Sequence, residues 1–349
     1  MAMAKKIFEY ITMRCFTLKI SVLMTTFNGQ TYIYEQLLSI YEQTISPNEV
    51  IICDDCSTDE TASIIHHFIN EHSLKNWHLI VNPQNKGWQR NFIESLSKVS
   101  GSYIFFSDQD DIWYKEKVET MIHIMEKQPE IQCLSGKMTT IDANGLSFKG
   151  KNIFSTDRFS GALNKLPFSA CFNTSILQGC TMCITKKLAD LILKMNIKDC
   201  GHDVQCCRLG ILLDGTFILD VPVMHYRLHE QNTSGVKSDI NYGTSNLQKR
   251  IDVIRKNIVW LNRLLEISES EKFLNQEKHD IIKETIVFQK DRFRFLTRKN
   301  ILLFFKLYKY RKYYSGLSMY IGDFSYAFHI NKLTGKILWL LKDKKTFTD

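Results

Sequence analysis

Apolar residues in this chain come in short blocks, and in the first half the blocks alternate between two periods. Lys19 to Met24 (KISVLM) and Val50 to Cys53 (VIIC) are compact apolar runs of the kind a buried parallel strand produces, and Trp77 to Val81 and Tyr103 to Phe106 repeat the pattern. Between them, Ile33, Leu37 and Ile40, then Ile64, Ile65 and Phe68, then Phe92, Ile93, Leu96 and Val99 are spaced to line one face of a helix. Ser57-Thr58-Asp59-Glu60 has the form of a capping box and predicts that the second helix starts there. Strand and helix signals at such short intervals predict parallel βαβ units and a doubly wound α/β sheet. From about Ile131 to Gly235 the pattern becomes short strands and turns, such as Ala143-Asn144-Gly145, with a helix from Lys186 to Lys194. Beyond about Asn246 the chain reads as helical, and Ile251, Ile254, Ile258, Leu261 and Leu265 form a heptad-like stripe for a neighbouring helix or a second subunit.

Sheets of this kind bind ligands beyond the carboxyl ends of their strands, so the residues that follow each strand matter most. They are Thr25-Thr26-Phe27-Asn28, Asp54-Asp55-Cys56-Ser57, Asn82 to Gly87 (NPQNKG) and Asp108-Gln109-Asp110-Asp111. Polar and acidic groups thus converge on one edge. Two carboxylates separated by one residue, as in Asp108-Gln109-Asp110, can offer one group to a hard divalent cation and the other to a sugar hydroxyl or water. Such a tripeptide is weakly diagnostic by itself. Its weight comes from the three other strand ends that share its edge.

The strings SVLMTTFNG, EVIICDDCSTDET, NKGWQRNF and YIFFSDQDDIW, in this order and spacing, resemble the nucleotide-binding half of inverting family-2 glycosyltransferases of the GT-A fold, in particular rhamnosyltransferase-like members that build bacterial surface polysaccharides. QGCTMCITKKLAD, GHDVQ and YRLHEQNTSG resemble the acceptor half, so the likeness spans roughly residues 19–235. It implies a GT-A α/β fold with a mixed Rossmann-like sheet and a nucleotide-diphosphate sugar as donor, a UDP- or dTDP-sugar. Thr25, Thr26 and Phe27 would line the nucleoside, Asp54 would bond the base, Asp55 would support its loop, Lys86 would lie on the donor side and Asp108 would face the ribose. Asp110 and His229 would meet Mn²⁺ or Mg²⁺, with His225 the rival to His229. Trp113 and Asp111 would border the acceptor. Asp203 in Gly201-His202-Asp203-Val204 would be the base that inversion requires, held ionised at a helix N-terminus; a helix cap is the plainer alternative. Arg227 reads equally as a phosphate contact or a surface ion-pair partner.

Charge adds one feature. The formal net charge is +8, and residues 292–314 hold eight Lys or Arg and no acid among aromatic and aliphatic residues. Such a segment suits an anionic membrane surface or the solvated face of an ordinary helix. The chain divides into an extension at 1–18, a catalytic domain at 19–235 with halves 19–111 and 112–235, and a basic helical region at 246–349 that offers a surface for homo-oligomers. No run of about 20 apolar residues is present and 1–18 lacks a secretory pattern, which places the protein in the cytoplasm; the resemblance implies a glycan or lipid-linked glycan as acceptor and, with it, a peripheral place on the membrane. Cys53/Cys56 and Cys180/Cys183 lie over a hundred residues apart, too far for a zinc knuckle, and no nucleic-acid partner is expected. A nucleotidyltransferase would need a Gly-rich basic loop after the first strand, where Thr25-Thr26-Phe27-Asn28-Gly29 stands instead. A non-catalytic glycan- or membrane-binding scaffold is the remaining class.

Overall fold

The structure, a computed structural model, describes residues 19–147, 159–174, 177–230, 232 and 247–330. The 1–18 extension, Gln231 and the Thr-Ser-Gly end of the YRLHEQNTSG string, and the segment after residue 330 lie outside the described residues. The chain divides into two compact units, one of residues 1–167 and 176–229, the other of residues 168–175 and 230–349. Among the described residues no helix is long and apolar enough to cross a membrane.

The first unit is built on β1 (Ile20–Thr26), α1 (Ile33–Tyr41), β2 (Glu49–Asp54), α2 (Thr61–Glu71), β3 (Trp77–Val81), α3 (Trp88–Ser95) and β4 (Tyr103–Ser107). It continues through β5 (Ile112–Trp113), α4 (Lys117–Lys127), β6 (Cys133–Ile141), β7 (Leu163–Lys165), β8 (Met182–Thr185), α5 (Lys186–Met195), α6 (His202–Leu212) and β9 (Thr216–Arg227). The sheet runs β3-β2-β1-β4-β8-β6-β9-β5, with β7 also paired to β9. The first four strands are parallel, as their two-sided apolar runs require. From β8 the sheet is mixed: β8 lies antiparallel to β4 and β6, and β6 and β9 are parallel. The chain order reverses at β1, which is flanked by β2 and β4, so the crevice of a switch point opens beyond Thr26 and Ser107.

Two boundaries differ from the sequence reading for local reasons. β1 runs two residues past Met24, because β2 continues alongside it and pairs Thr25 with Cys53 and Thr26 with Asp54. The β-branched threonines suit that extension, so they end a strand instead of forming a turn. α2 starts at Thr61, not after Ser57, because Asp54 takes Ser57 first: its Oδ2 accepts from Ser57 N at 2.8 Å and its Oδ1 from Ser57 Oγ at 2.6 Å. Hydrogen bonds to an ionised acceptor are stronger than a neutral cap. Asp59 serves the helix start instead, accepting from Thr61 N at 3.0 Å. On α1, Ile33, Leu37 and Ile40 are wholly buried, each contributing on the order of 1.5–3 kcal/mol.

The second unit holds α7 (Leu247–Glu271), α8 (Gln276–Arg298), α9 (Ile301–Leu307), a 3₁₀ turn (Tyr308–Tyr313) and α10 (Leu317–Ala327). The stripe on α7 packs through Ile251, Ile254 and Leu261 with Trp260 and Leu264, and α8 is its neighbour. The basic segment 292–314 is not one continuous helix. Lys299 takes a left-handed conformation (φ 51°) that stops α8, and Asn300 caps α9 by accepting from Leu302 N at 2.8 Å. Part of the segment is core: Phe295, Leu296, Leu307, Tyr310, Tyr313 and Tyr314 are buried, and Arg292 pairs with buried Asp323 through Nε at 2.5 Å and Nη2 at 2.8 Å.

Candidate active site

The two loops that flank the switch point are cross-braced before any ligand arrives. Thr26 Oγ1 donates to Asp54 Oδ1 at 2.7 Å, Asn28 N to Ser57 Oγ at 2.9 Å, Gly29 N to Thr61 Oγ1 at 2.8 Å and Thr58 N to Asn28 Oδ1 at 2.9 Å. Asp54, the expected partner of the base, is buried, and its carboxylate accepts from Thr26 and from Ser57 twice, which braces the two loops. Asp55 accepts from Asn82 Nδ2 at 3.0 Å, Lys86 N at 2.9 Å and Gly87 N at 2.8 Å, fixing the loop after β3. The Lys86 ammonium lies 3.0 Å from Glu94 Oε2, and the other oxygen of Glu94 holds Lys198 at 3.0 Å. Thr25 is buried with Thr26, whereas Phe27 is 43% exposed.

Gln109, passed over in the sequence as the spacer between two acids, joins the ends of β1 and β4. Its Oε1 accepts from Phe27 N at 2.7 Å and its Nε2 donates to Phe27 O at 3.0 Å, a two-way amide bridge. A Cβ at Gly29 would run into this same side chain, so glycine is needed there for close approach.

Beyond Gln109, Asp110 Oδ2 lies 2.8 Å from His229 Nε2, across 119 residues of chain. His225 is held elsewhere, with Nδ1 2.7 Å from Thr139 Oγ1 and its ring against Tyr114, so of the two histidines it is His229 that meets Asp110. Arg227 is neither a surface pair nor turned outward: its side chain is 1% exposed. Its Nε donates to Asp110 O at 2.9 Å, its Nη1 to Ala143 O at 3.2 Å and its Nη2 to Glu35 on α1. The Tyr32 ring lies under the guanidinium at 4.7 Å and against the His229 ring at 4.7 Å. Arg227, Tyr32 and Glu35 therefore grip the Asp110 peptide and set the His229 ring. Sequence could have flagged this only through the spacing of Arg227 and His229 at a strand end.

Trp113 and Asp111, expected at the acceptor, are both buried. Trp113 is 3% exposed, packed against Phe105 and under the Lys117 ammonium, because β5 pairs with β9 and is covered. Asp111 is buried, with Oδ1 accepting from Arg227 N at 3.2 Å and Oδ2 without a partner. Asp108, Asp111 and Cys180 bring three ligand atoms within 4.8 Å of one another. Burial pushes the Cys180 thiol well up and pulls Lys117, whose Nζ donates to Cys180 O at 2.6 Å, down to about 7. A protonated thiol is a poor ligand for a hard cation. Asp110 with His229 fits better: two ligands of one octahedral ion at about 2.1 Å stand about 3 Å apart, close to the 2.8 Å observed. An imidazole in the pair suits Mn²⁺ more than Mg²⁺.

Asp203 lies in the first turn of α6, with Oδ1 accepting from Val204 N at 2.8 Å. The helix start alone would hold it ionised, but burial outweighs the backbone donors and raises its carboxyl above the ordinary range. Asp203 is close enough that its charge, after burial and the charge of Asp110, helps to push Asp108 up to about 7. Gly201, just before, has no room for a side chain: a Cβ would come 3.1 Å from the Trp88 ring and collide with Asp203.

The family model for Glycosyl transferase family 2 matches residues 21–189. The dTDP-rhamnosyl transferase RfbG of Shigella flexneri is 31% identical over 246 residues, covering 66% of this chain and 79% of that protein. The chain belongs to glycosyl transferase family 2. The putative teichuronic acid biosynthesis glycosyltransferase TuaG of Bacillus subtilis is 26% identical over 179 residues, 51% of this chain and 67% of its own length. Among solved structures, Staphylococcus aureus TarS in complex with UDP-GlcNAc shares the fold with a TM-score of 0.55 at 19% identity, over 88% of this chain and 81% of that one. The Pyrobaculum calidifontis mannosyltransferase PcManGT, in complex with GDP-Man and Mn²⁺, does so at 0.50 and 14% identity, over 95% and 83%. The protein is thus a family-2 glycosyltransferase with the mixed α/β sheet of that fold and a helical C-terminal region. The family match takes in all four strand-end loops and stops at Ala189, before Asp203 and His229.

Proposed function

We propose that this glycosyltransferase moves a single sugar from a UDP- or dTDP-sugar to a hydroxyl of a lipid-linked glycan, with inversion, during assembly of a bacterial surface polysaccharide. The observation that carries the reading is the meeting of Asp110 and His229 at the carboxyl edge of the parallel strands, next to Asp108. The donor nucleoside lies against Phe27 and Thr25, with Asp108 toward the ribose. Asp203 takes the proton of the acceptor hydroxyl as that oxygen bonds to the anomeric carbon and the bond to the diphosphate breaks. A carboxylate raised by burial is a better base than an ordinary one, since its proton affinity lies nearer neutrality. Asp110 and His229 would hold Mn²⁺ or Mg²⁺, which supplies charge neutralisation at the departing diphosphate. Arg227 keeps Asp110 in place for that task.

The names of relatives support the substrate classes. RfbG is named a dTDP-rhamnosyl transferase, TarS was solved with UDP-GlcNAc, and Escherichia coli WfaP, 35% identical over 111 residues, is named for a diphosphoundecaprenol acceptor. A lipid-linked acceptor implies work at the cytoplasmic face of a membrane. Nucleotide diphosphate released from a panel of nucleotide sugars with Mn²⁺ and a lipid-linked glycan tests the reading. Release from at least one UDP- or dTDP-sugar is expected; none from any sugar, with the metal and acceptor present, sinks it.

A further inference from the structure

α9 turns large apolar side chains outward. Leu302 is 74% exposed, Phe305 65% and Ile301 43%, and Tyr308, which follows the helix, is 54% exposed. At about 100° per residue these four positions fall within an arc of about 120°. The opposite side is used internally: Leu307 is buried, and Leu303 and Phe304 pack against the core of the second unit. Isolated exposed apolar residues are ordinary, but four on one arc of a short helix are not. Lys299, Lys306, Lys309 and Arg311, in and next to this stretch, are exposed, Lys312 pairs with Glu284 at 3.0 Å, and no acid occurs from Arg292 to Gly322.

We propose that this face docks on an anionic lipid bilayer, with Ile301, Leu302, Phe305 and Tyr308 entering the headgroup boundary and Lys299, Lys306, Lys309 and Arg311 meeting lipid phosphates. An apolar face flanked by basic residues is what an interfacial helix presents. Charge selects the partner. A second copy laid on the same face would bring eight such cations together. A bilayer supplies negative charge and apolar depth without the shape complementarity that a seven-residue helix lacks. The inference rests on the membrane location in the functional reading above, but vesicle binding is measured without sugar transfer, so its failure leaves that reading standing.

The test is flotation of the full chain with vesicles of phosphatidylglycerol and phosphatidylcholine, against phosphatidylcholine alone, at low salt. Binding only to the anionic vesicles, and release as salt is raised, is expected. Leu302→Glu with Phe305→Glu should cut the bound fraction by about tenfold or more, and Lys306→Glu with Lys309→Glu should weaken it and flatten its salt dependence. Thermal unfolding like that of the unsubstituted chain certifies each variant; should the first pair unfold, Phe305→Ser alone replaces it. A Leu302→Trp variant gives a second readout, a blue shift of emission on adding anionic vesicles. No flotation of the unsubstituted chain, equal binding by the apolar variants, or self-association that they abolish would each overturn the proposal.

Discussion

Replacing Arg227 probes the site without touching a group that meets substrate. In Arg227→Ala two carbonyls, those of Asp110 and Ala143, lose their donor, and Glu35 loses its ion-pair partner. Glu35 is 56% exposed and is rehydrated, so its loss counts little. Ala143 is exposed too, so its carbonyl regains water, but the half-buried carbonyl of Asp110 left unmade costs about 1–3 kcal/mol, and the packing of a buried side chain over Tyr32 is lost as well. The sum is about 2–4 kcal/mol, which for a unit of this size lowers Tm by roughly 4–16 °C. Arg227→Lys keeps the charge but not the fork, so it should lose less stability while still loosening the Asp110 peptide. Outer partners of metal ligands are worth about 10–100-fold in metal affinity. The assay is a Mn²⁺ titration of turnover and of intrinsic fluorescence on Arg227→Lys, beside nucleotide binding by calorimetry. Weaker metal dependence with unchanged nucleoside affinity is the expected pair. A variant with the original Tm and the original metal titration would refute the idea that Arg227 holds Asp110.

Asp203→Asn should abolish transfer while nucleotide binding stays nearly intact, checked by single-turnover assay and calorimetry; retained turnover would remove Asp203 as the base. Since burial raises the Asp203 carboxyl, its folded form keeps the proton longer than the unfolded form, so this group costs stability as pH rises from the ordinary aspartate value through the raised one. Asp203→Asn should therefore match or exceed the original Tm at neutral pH, and the acid limb of kcat/KM should fall at a pH above the ordinary aspartate value. Gln109→Ala removes both hydrogen bonds to the Phe27 peptide, about 1–3 kcal/mol in all, and should raise the donor KM more than it lowers kcat, read from initial rates.

The parallel strands and their polar ends were legible because a strand buried on both faces leaves an uninterrupted apolar run, as at Val50 to Cys53, and the chain must turn polar where it leaves the sheet. The four ordered strings carried the family for the same reason. Competition between short-range partners was not legible. Ser57 has the look of a cap, but a charged acceptor three residues back claims it. Thr25 and Thr26 suit a turn or a strand equally, and the length of β2 decides. Burial of Trp113 and Asp111 depends on pairing with β9, more than a hundred residues away, which no local pattern contains. The Arg227, Tyr32 and Glu35 grip joins parts of the chain that share no periodicity.

Glu94 also bears on how this enzyme could be rebuilt. Its single carboxylate, held below the ordinary range by Lys198 first and Lys86 second, ties the loop after β3 to the one that leads into Asp203. The two loops are thus not independent cassettes. A chimera that imports the 196–201 segment from a relative without a cation at 198 leaves Glu94 with one partner, and one that replaces Glu94 sets two ammonium groups facing each other. A loop transplant has to carry all three positions together.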